Sequence, residues 1–133
     1  MANPCFVVGK KYSRKDIFYV LQLDPFPIGG NWFTGYTKYL DEHYVFVNVN
    51  TAGRTGHNYG DRWLEDGSLF WHGKTNSHIG QPVIQDMIRK DAIVHFFTRD
   101  DNRDVEFFYQ GIGTAVTVNL TSPVEIIWRF DKR

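Results

Sequence analysis

Apolar side chains occupy alternate positions most regularly over residues 43–50, where three valines alternate with aromatic and polar residues. A two-residue period places those valines on one face of an extended chain, so this segment is predicted to be a β-strand. Later segments rich in β-branched and aromatic residues are predicted to be strands for the same reason. These segments are 68–72, 92–99, 105–109, 114–120 and 124–130.

Two short helices are also predicted. Ser13 and Asp16 have the spacing of a capping box, and the apolar residues after them recur at helical intervals, which predicts a helix over about 14–22. Pro82 suits the first position of a second helix, because its missing N–H is not needed there and an apolar stripe follows it.

The order of these elements predicts an α+β fold. Roughly six or seven strands with two helices favour a curved, antiparallel, barrel-like sheet with two short peripheral helices. Residues 100–103 have the composition of a hairpin turn between two of the strands. The chain has 133 residues with no repeat or linker, so we expect a single domain over 1–133.

Composition narrows the function classes. Hydrophobic residues make up 42% and aromatic residues 17%, which favours a packed core with some rings left for a recognition surface. The net charge is zero, which argues against a strong non-specific nucleic-acid binder. Four cations nevertheless lie within residues 10–15, and six carboxylates lie within 86–106. Either the folded domain has one basic and one acidic face, or the charges are scattered.

The sequence contains neither a set of cysteines for a disulfide or zinc site nor a long apolar segment. Cys5 is the only cysteine, which excludes an internal disulfide and cysteine-rich zinc sites. No apolar run approaches the roughly 20 residues of a membrane span, and the first residues lack the apolar core of a signal peptide. We expect a cytoplasmic protein without a metal, a cofactor or a membrane partner.

Residues that bind phosphate are concentrated between Tyr12 and Pro82, in segments that also contain glycine. Glycine lets a ligand approach the backbone, and hydroxyl, amide and cationic side chains bind its oxygens. Arg54 lies between two glycines, and no acidic residue occurs between Glu42 and Asp61 to pair with it locally. Anion binding by the 51–59 loop is therefore favoured over a plain hairpin connection.

An enzyme is the weaker interpretation. His57, His72 and His78 are candidates for a metal site or a general base, but none of the paired histidine spacings of metalloenzymes is present. His95 stands between apolar neighbours in a predicted strand, which favours a packed role. We expect no catalytic residues.

The same segments resemble a known family, the DNA sulfur-binding domains of McrA-type, modification-dependent restriction endonucleases. Related domains of unassigned role occur at the ends of helicase-like proteins. The similar segments are YSRKDI at 12–17, GGNW at 29–32, GY at 35–36, TAGRTGH at 51–57, FWHGK at 70–74, FFYQG at 107–111 and SPV at 122–124. The resemblance covers nearly the whole chain.

The resemblance implies a non-enzymatic domain that binds duplex DNA in which sulfur replaces one non-bridging phosphate oxygen. In that family the sulfur enters a shallow apolar pocket with a proline-like element; here Pro4, Pro82 or neither supplies it. The family's nuclease is a separate HNH domain, which this sequence lacks, so a nuclease partner would act in cis or in trans.

The polar, glycine-containing segments and the resemblance together indicate site residues. Those assigned to phosphates and flanking bases are Arg14, Lys15, Asn31, Trp32, Thr34, Lys38, Thr51, Arg54, Thr55, His57, Lys74, Ser77 and His78. Those assigned to the sulfur pocket are Tyr12, Ser13, Gly30, Asn31, Thr55, Gly56 and His57. Sulfur is weakly hydrated, whereas an oxygen in such a pocket loses hydrogen bonds worth about 1–3 kcal/mol, or roughly ten- to a hundredfold in affinity.

Three alternatives stay open. A reader of a modified base such as methylcytosine needs an aromatic pocket for a flipped base, which Trp32, Trp63 and Trp71 would line. A protein-interaction module would use exposed aromatic residues without nucleic acid. A small hydrolase would use His57 or His72.

Overall fold

The computed structural model describes residues 6–49 and 61–130. Strands dominate, and each helix is short. In chain order the elements are β1 (Lys11–Ser13), α1 (Arg14–Val20), a 3₁₀ helix (Gly30–Phe33), β2 (Tyr36–Tyr39), β3 (Glu42–Asn48), β4 (Arg62–Trp63), β5 (Leu69–His72), α2 (Pro82–Met87), β6 (Ile93–Arg99), β7 (Glu106–Asn119) and β8 (Glu125–Phe130).

The strands form one curved, eight-stranded sheet in the order β2-β3-β6-β7-β8-β5-β4, with β1 paired to β7. This confirms the α+β class and the two peripheral helices. Two details differ from the expectation. The sheet is open, because β2 and β4 at its ends do not pair within the described residues. One ladder, β3 with β6, is parallel, since the chain crosses over between them through β4, β5 and α2.

The strands predicted at 105–109 and 114–120 are one continuous strand, β7. Its ladder to β6 pairs Phe96 with Gly111 and Phe97 with Tyr109, so one extra residue is accommodated between these pairs. Gly111 has a φ of 102°, a conformation that glycine adopts without strain and that occurs in β-bulges. The bulge lets β7 pair first with β1 and β6 and then with β8.

The alternation predicted along β3 is confirmed, and its two faces contribute to two separate core clusters. Val45 and Val47 lie in the first cluster, which α2 covers with Ile84 and Met87. The aromatic residues at 44 and 46 lie in the second cluster, which receives Ile17 from α1. Both faces of β3 are therefore buried, and each helix covers one of them.

The helix starts follow the predicted chemistry. Asp16 N–H donates to Ser13 Oγ at 3.1 Å, and Ser13 N–H donates to Asp16 Oδ2 at 2.8 Å, which confirms the capping box of α1. Pro82 occupies the first turn of α2, as predicted. No helix among the described residues combines the length and the apolar character that a membrane crossing requires.

Candidate anion-binding cleft

A cleft of about 430 Å³ opens between β2, the segment after β5 and the start of α2. Two lysines line it and, in the part of the chain that the structure describes, no carboxylate does. Amide and hydroxyl side chains complete its polar wall, and a valine supplies an aliphatic surface. The lining used below is Asn31, Tyr36, Lys38, Lys74, Gln81 and Val83.

Lys74 is the principal cation of this cleft. Its Nζ donates to Asn31 Oδ1 at 3.2 Å and lies 4.5 Å from the centroid of the Tyr36 ring. Its backbone N–H donates to the Tyr36 hydroxyl at 3.2 Å, which fixes the loop over β2. Burial lowers the pKa of Lys74 below its usual range. The charge is therefore partly desolvated, and among residues 6–49 and 61–130 it forms no ion pair.

Lys38 is the second cation, and it is held differently. Its Nζ lies 2.9 Å from Asp86 Oδ2 on α2. The same carboxylate contacts Arg89 at 2.9 Å and the buried His43 at 2.6 Å. The hydrogen bond from Lys38 is the largest of the effects that lower the pKa of Asp86 to about 2. Lys38 is thus opposed by a carboxylate that stays ionised at neutral pH.

The loop that carries Lys74 is anchored by Ser77. The Ser77 side chain is buried, and its Oγ accepts a hydrogen bond from Val124 N–H at 3.2 Å. Gly73 N–H donates to the Val124 carbonyl at 2.9 Å. A Cβ at position 73 would overlap Ser77 Oγ, so glycine is required by this close approach. Ser77 lines the cleft but serves first to hold its wall.

Four predicted phosphate-binding residues therefore meet at one place: Asn31, Lys38, Lys74 and Ser77. Lys15, Thr34 and His78 are exposed but do not line this cleft. His78 Nδ1 accepts a hydrogen bond from Gly80 N–H at 3.1 Å. The predictions at Thr51, Arg54, Thr55, Gly56 and His57 lie outside the described residues, as does Pro4.

Arg14 is partly buried against other elements of the fold and does not line this cleft, so its phosphate contact stays a prediction. Its Nε donates to the Trp32 carbonyl at 2.9 Å. Its guanidinium carbon lies 4.8–5.1 Å from the ring centroids of Phe33, Phe46 and Phe107. This stacking gives a physical reason for a cation in the first turn of α1, where the helix dipole disfavours one. Trp32 is likewise packed, with its ring 5.3 Å from that of Tyr44.

Tyr12 and Ser13 also have structural contacts and do not line this cleft, so their assignment to a sulfur pocket stays a prediction. Tyr12 is buried in the second cluster, and its hydroxyl accepts a hydrogen bond from Val7 N–H at 2.8 Å. The Ser13 hydroxyl caps α1. Gly30 has a φ of 78° and begins the 3₁₀ helix beside Asn31, with open space around its Cα. Of the described pocket predictions, only Asn31 lines the cleft.

The charges are mixed, which favours the scattered arrangement over separate basic and acidic faces. Lys11 Nζ lies 3.8 Å from Asp104 Oδ2, across the ladder that joins β1 to β7. The register of the same ladder places Ser13 opposite Glu106. The basic segment and part of the acidic one are therefore neighbours.

The three tryptophans that were candidates for a base pocket, Trp32, Trp63 and Trp71, do not lie together. Trp71 is buried in the first cluster, 5.4 Å from the Tyr36 ring and 6.1 Å from that of Trp128. Trp32 packs against the second cluster. Trp63 lies on β4, 5.8 Å from Phe130. The aromatic cage that a flipped base needs is therefore not built from these residues.

The histidines of the described chain are engaged in the fold. His72 Nδ1 lies 3.2 Å from Asp61 Oδ1, and its Nε2 lies 3.2 Å from Glu125 Oε2. His95 is buried between the Tyr109 hydroxyl at 2.8 Å and Glu42 at 2.7 Å, which confirms its predicted packed role. No group of three or more side chains suited to a metal occurs among residues 6–49 and 61–130.

The residues predicted for the site do not include Asp86, which holds Lys38, or five residues that line the cleft: Tyr36, Thr37, Thr75, Gln81 and Val83. Gln81 and Val83 flank the predicted start of α2 and carry no motif. Asp86 was visible only as one member of an acidic segment, although it controls Lys38. Its contact depends on the packing of α2 against β2 and β3, for which the sequence offers no local signal.

Residues 6–133 match the model of a family described as Domain of unknown function (DUF3427). The chain belongs to this family. The match spans the whole described fold of this DUF3427 domain and includes every residue of the cleft. The comparison with curated proteins found no match. The family description assigns no activity, so the function is argued from the site.

Proposed function

We propose that this DUF3427 domain binds duplex DNA that carries a phosphorothioate in its backbone, and that the cleft holds the modified phosphate. The observation that carries the proposal is the environment of Lys74. This cation is partly desolvated, and among the described residues it forms no ion pair and no carboxylate lines its cleft. A phosphate oxygen would supply the missing counter-charge. On this proposal the domain acts by binding and performs no catalysis.

The neighbours of Lys74 suit a phosphodiester better than a free carboxylate. The amides of Asn31 and Gln81 and the lysine surround one opening, so several oxygens of one group find donors. A charge-assisted hydrogen bond from a lysine to phosphate is about twice as strong as a neutral one. The cleft also exceeds the size of one phosphate, which leaves space for the adjoining sugar.

The apolar part of the cleft supports the preference for sulfur. Val83 lies in its wall directly after Pro82, one of the two prolines that the resemblance left open. The Tyr36 ring lies beneath the Lys74 side chain. Sulfur placed against these groups loses little hydration, whereas an oxygen placed there loses hydrogen bonds worth about 1–3 kcal/mol.

The low net charge is consistent with such a function. A domain with many unopposed cations binds any DNA, and that background would exceed the contribution of one sulfur atom. Here Asp86 opposes Lys38, whereas no carboxylate of residues 6–49 and 61–130 forms an ion pair with Lys74. We further propose that the domain acts in the cytoplasm, and that any cleavage comes from an HNH nuclease domain in cis or in trans.

The test is a titration of three duplexes of one sequence, carrying a phosphorothioate, a methylcytosine or neither, at about 0.15 M salt. The phosphorothioate duplex should bind roughly ten- to a hundredfold more tightly than the other two. A preference for the methylated duplex would favour a base reader. Absence of binding to all three would favour a protein-interaction module.

A further inference from the structure

Asp86 connects the rim of the cleft to the core. Lys38 on β2 lies directly opposite His43 on β3 in the strand register. Both side chains reach the same atom of α2, Asp86 Oδ2, at 2.9 Å for Lys38 Nζ and 2.6 Å for His43 Nε2. The carboxylate is therefore fixed from the sheet side by two contacts.

Arg89 fixes the carboxylate from the helix side. One of its nitrogens lies 2.9 Å from Asp86 Oδ1, and another lies 3.2 Å from Asp91. Burial lowers the pKa of His43, which keeps that ring neutral. The two cations and two carboxylates of this cluster balance, so Lys38 adds little net charge to the cleft.

Lys74 lines the same cleft but is held differently. Its Nζ donates to a neutral amide, so a phosphate that approaches it displaces no carboxylate of the described residues. A phosphate that approaches Lys38 must compete with Asp86, which is positioned by three partners. The two lysines therefore differ in their availability to DNA.

We propose that Asp86 limits the affinity of the cleft for DNA by holding Lys38 in an ion pair that a phosphate would otherwise take. The inference rests on the proposed function, because it assumes that the cleft binds a DNA phosphate. The proposal assigns Asp86 a role in specificity. The carboxylate keeps the attraction of the cleft for any DNA phosphate small, so the sulfur contributes a larger share of the binding free energy. Asp86 is a positioning residue, because it acts through Lys38.

The test uses the full chain and an unmodified duplex, with Asp86→Asn and Asp91→Asn as a matched pair. Both changes remove one carboxylate that contacts Arg89, but Asp91 is far more exposed and forms no ion pair with Lys38 in the described chain. Asp86→Asn should raise the affinity roughly tenfold, the value of one new charge-assisted contact. It should also steepen the log–log salt dependence by about 0.9, the value of one additional phosphate contact. Asp91→Asn should change neither.

A double-mutant cycle makes the mechanism explicit. In a Lys38→Gln background, the gain in affinity from Asp86→Asn should be clearly smaller than in the parent, because no lysine at position 38 is left for a phosphate to contact. The proposal is overturned if Asp86→Asn behaves like Asp91→Asn, or if its gain is as large without Lys38. Should Asp86→Asn unfold the domain, Lys38→Gln still decides: an affinity loss as large as that of Lys74→Gln contradicts a sequestered Lys38.

DNA binding by the cleft and the role of Asp86 are distinguishable by experiment. If the parent protein binds neither modified nor unmodified duplex, the proposed function fails and the role of Asp86 fails with it. If the parent binds and Lys74→Gln weakens binding, but Asp86→Asn gives no gain, only the role of Asp86 is lost.

Discussion

Replacing Lys74 with glutamine removes the cleft's unopposed charge while keeping a side chain of similar length and a hydrogen-bond donor. The lost interaction with a phosphate is a charge-assisted hydrogen bond, worth about 1.5–3 kcal/mol, or roughly ten- to 150-fold in affinity. We expect the upper part of this range. Burial has already removed part of the water around the Lys74 ammonium group, as its lowered pKa reflects, so the ammonium group loses little further hydration when DNA binds.

The structural cost of the same change is smaller. Lys74→Gln loses the cation–π contact with Tyr36, 4.5 Å from the ring centroid, which at a partly exposed site is worth about 0.5–1 kcal/mol. That loss lowers the melting temperature by only about 2–6 °C in a domain of this size. Lys10→Gln is the matched control, because Lys10 Nζ lies 5.6 Å from the Tyr12 ring and does not line the cleft.

Fluorescence anisotropy with a labelled phosphorothioate duplex, together with thermal unfolding, separates the two effects. Lys74→Gln should weaken binding at least tenfold with a modest change in melting temperature, and Lys10→Gln should weaken it less than twofold. The reasoning is refuted if Lys74→Gln binds as tightly as the parent. An equal loss of affinity in both variants would show only that the total positive charge of the domain affects binding.

Three further predictions concern the fold. Ser13→Ala should lower the free energy of unfolding by about 1 kcal/mol through loss of the α1 cap, with the sulfur preference intact; an unchanged denaturation midpoint would contradict this. Gly73→Ala should cost about 1–3 kcal/mol by overlap with a buried hydroxyl, whereas Gly29→Ala, with nothing within 4 Å, should cost little in the same denaturation assay. Burial lowers the pKa values of His43 and His95 below 6.5, so the unfolded chain binds more protons and stability should fall as the pH drops below 6.5. A free energy of unfolding that is equal at about pH 7 and about pH 5 would refute that linkage.

The local elements could be predicted from the sequence because their signals are local. The alternation along β3 and the capping box at Ser13 each specify one conformation within a few residues, and both are confirmed. The continuity of β7 could not be predicted in this way. Gly111 resembles a strand end in sequence, yet its positive φ forms a bulge within the strand. The parallel pairing of β3 with β6 depends on distant segments.

The candidate site was predicted in part for the same reason. Asn31, Lys38 and Lys74 were identified because they lie in or beside polar, glycine-containing segments, and the fold brings them to one cleft. Arg14 shows the limit of that approach. Its conflict with the helix dipole was visible in the sequence, but the aromatic rings that resolve it come from other elements. Asp86 was missed because its importance depends on three contacts formed only by folding.

Sulfur recognition is tested most directly with stereochemically pure duplexes. A pocket on one side of the backbone meets only one of the two non-bridging positions, so one phosphorothioate diastereomer should bind roughly ten- to a hundredfold more tightly than the unmodified duplex. The other diastereomer should bind no better than unmodified DNA. Equal dissociation constants for the two diastereomers and the unmodified duplex, measured at the same salt concentration, would contradict the proposal.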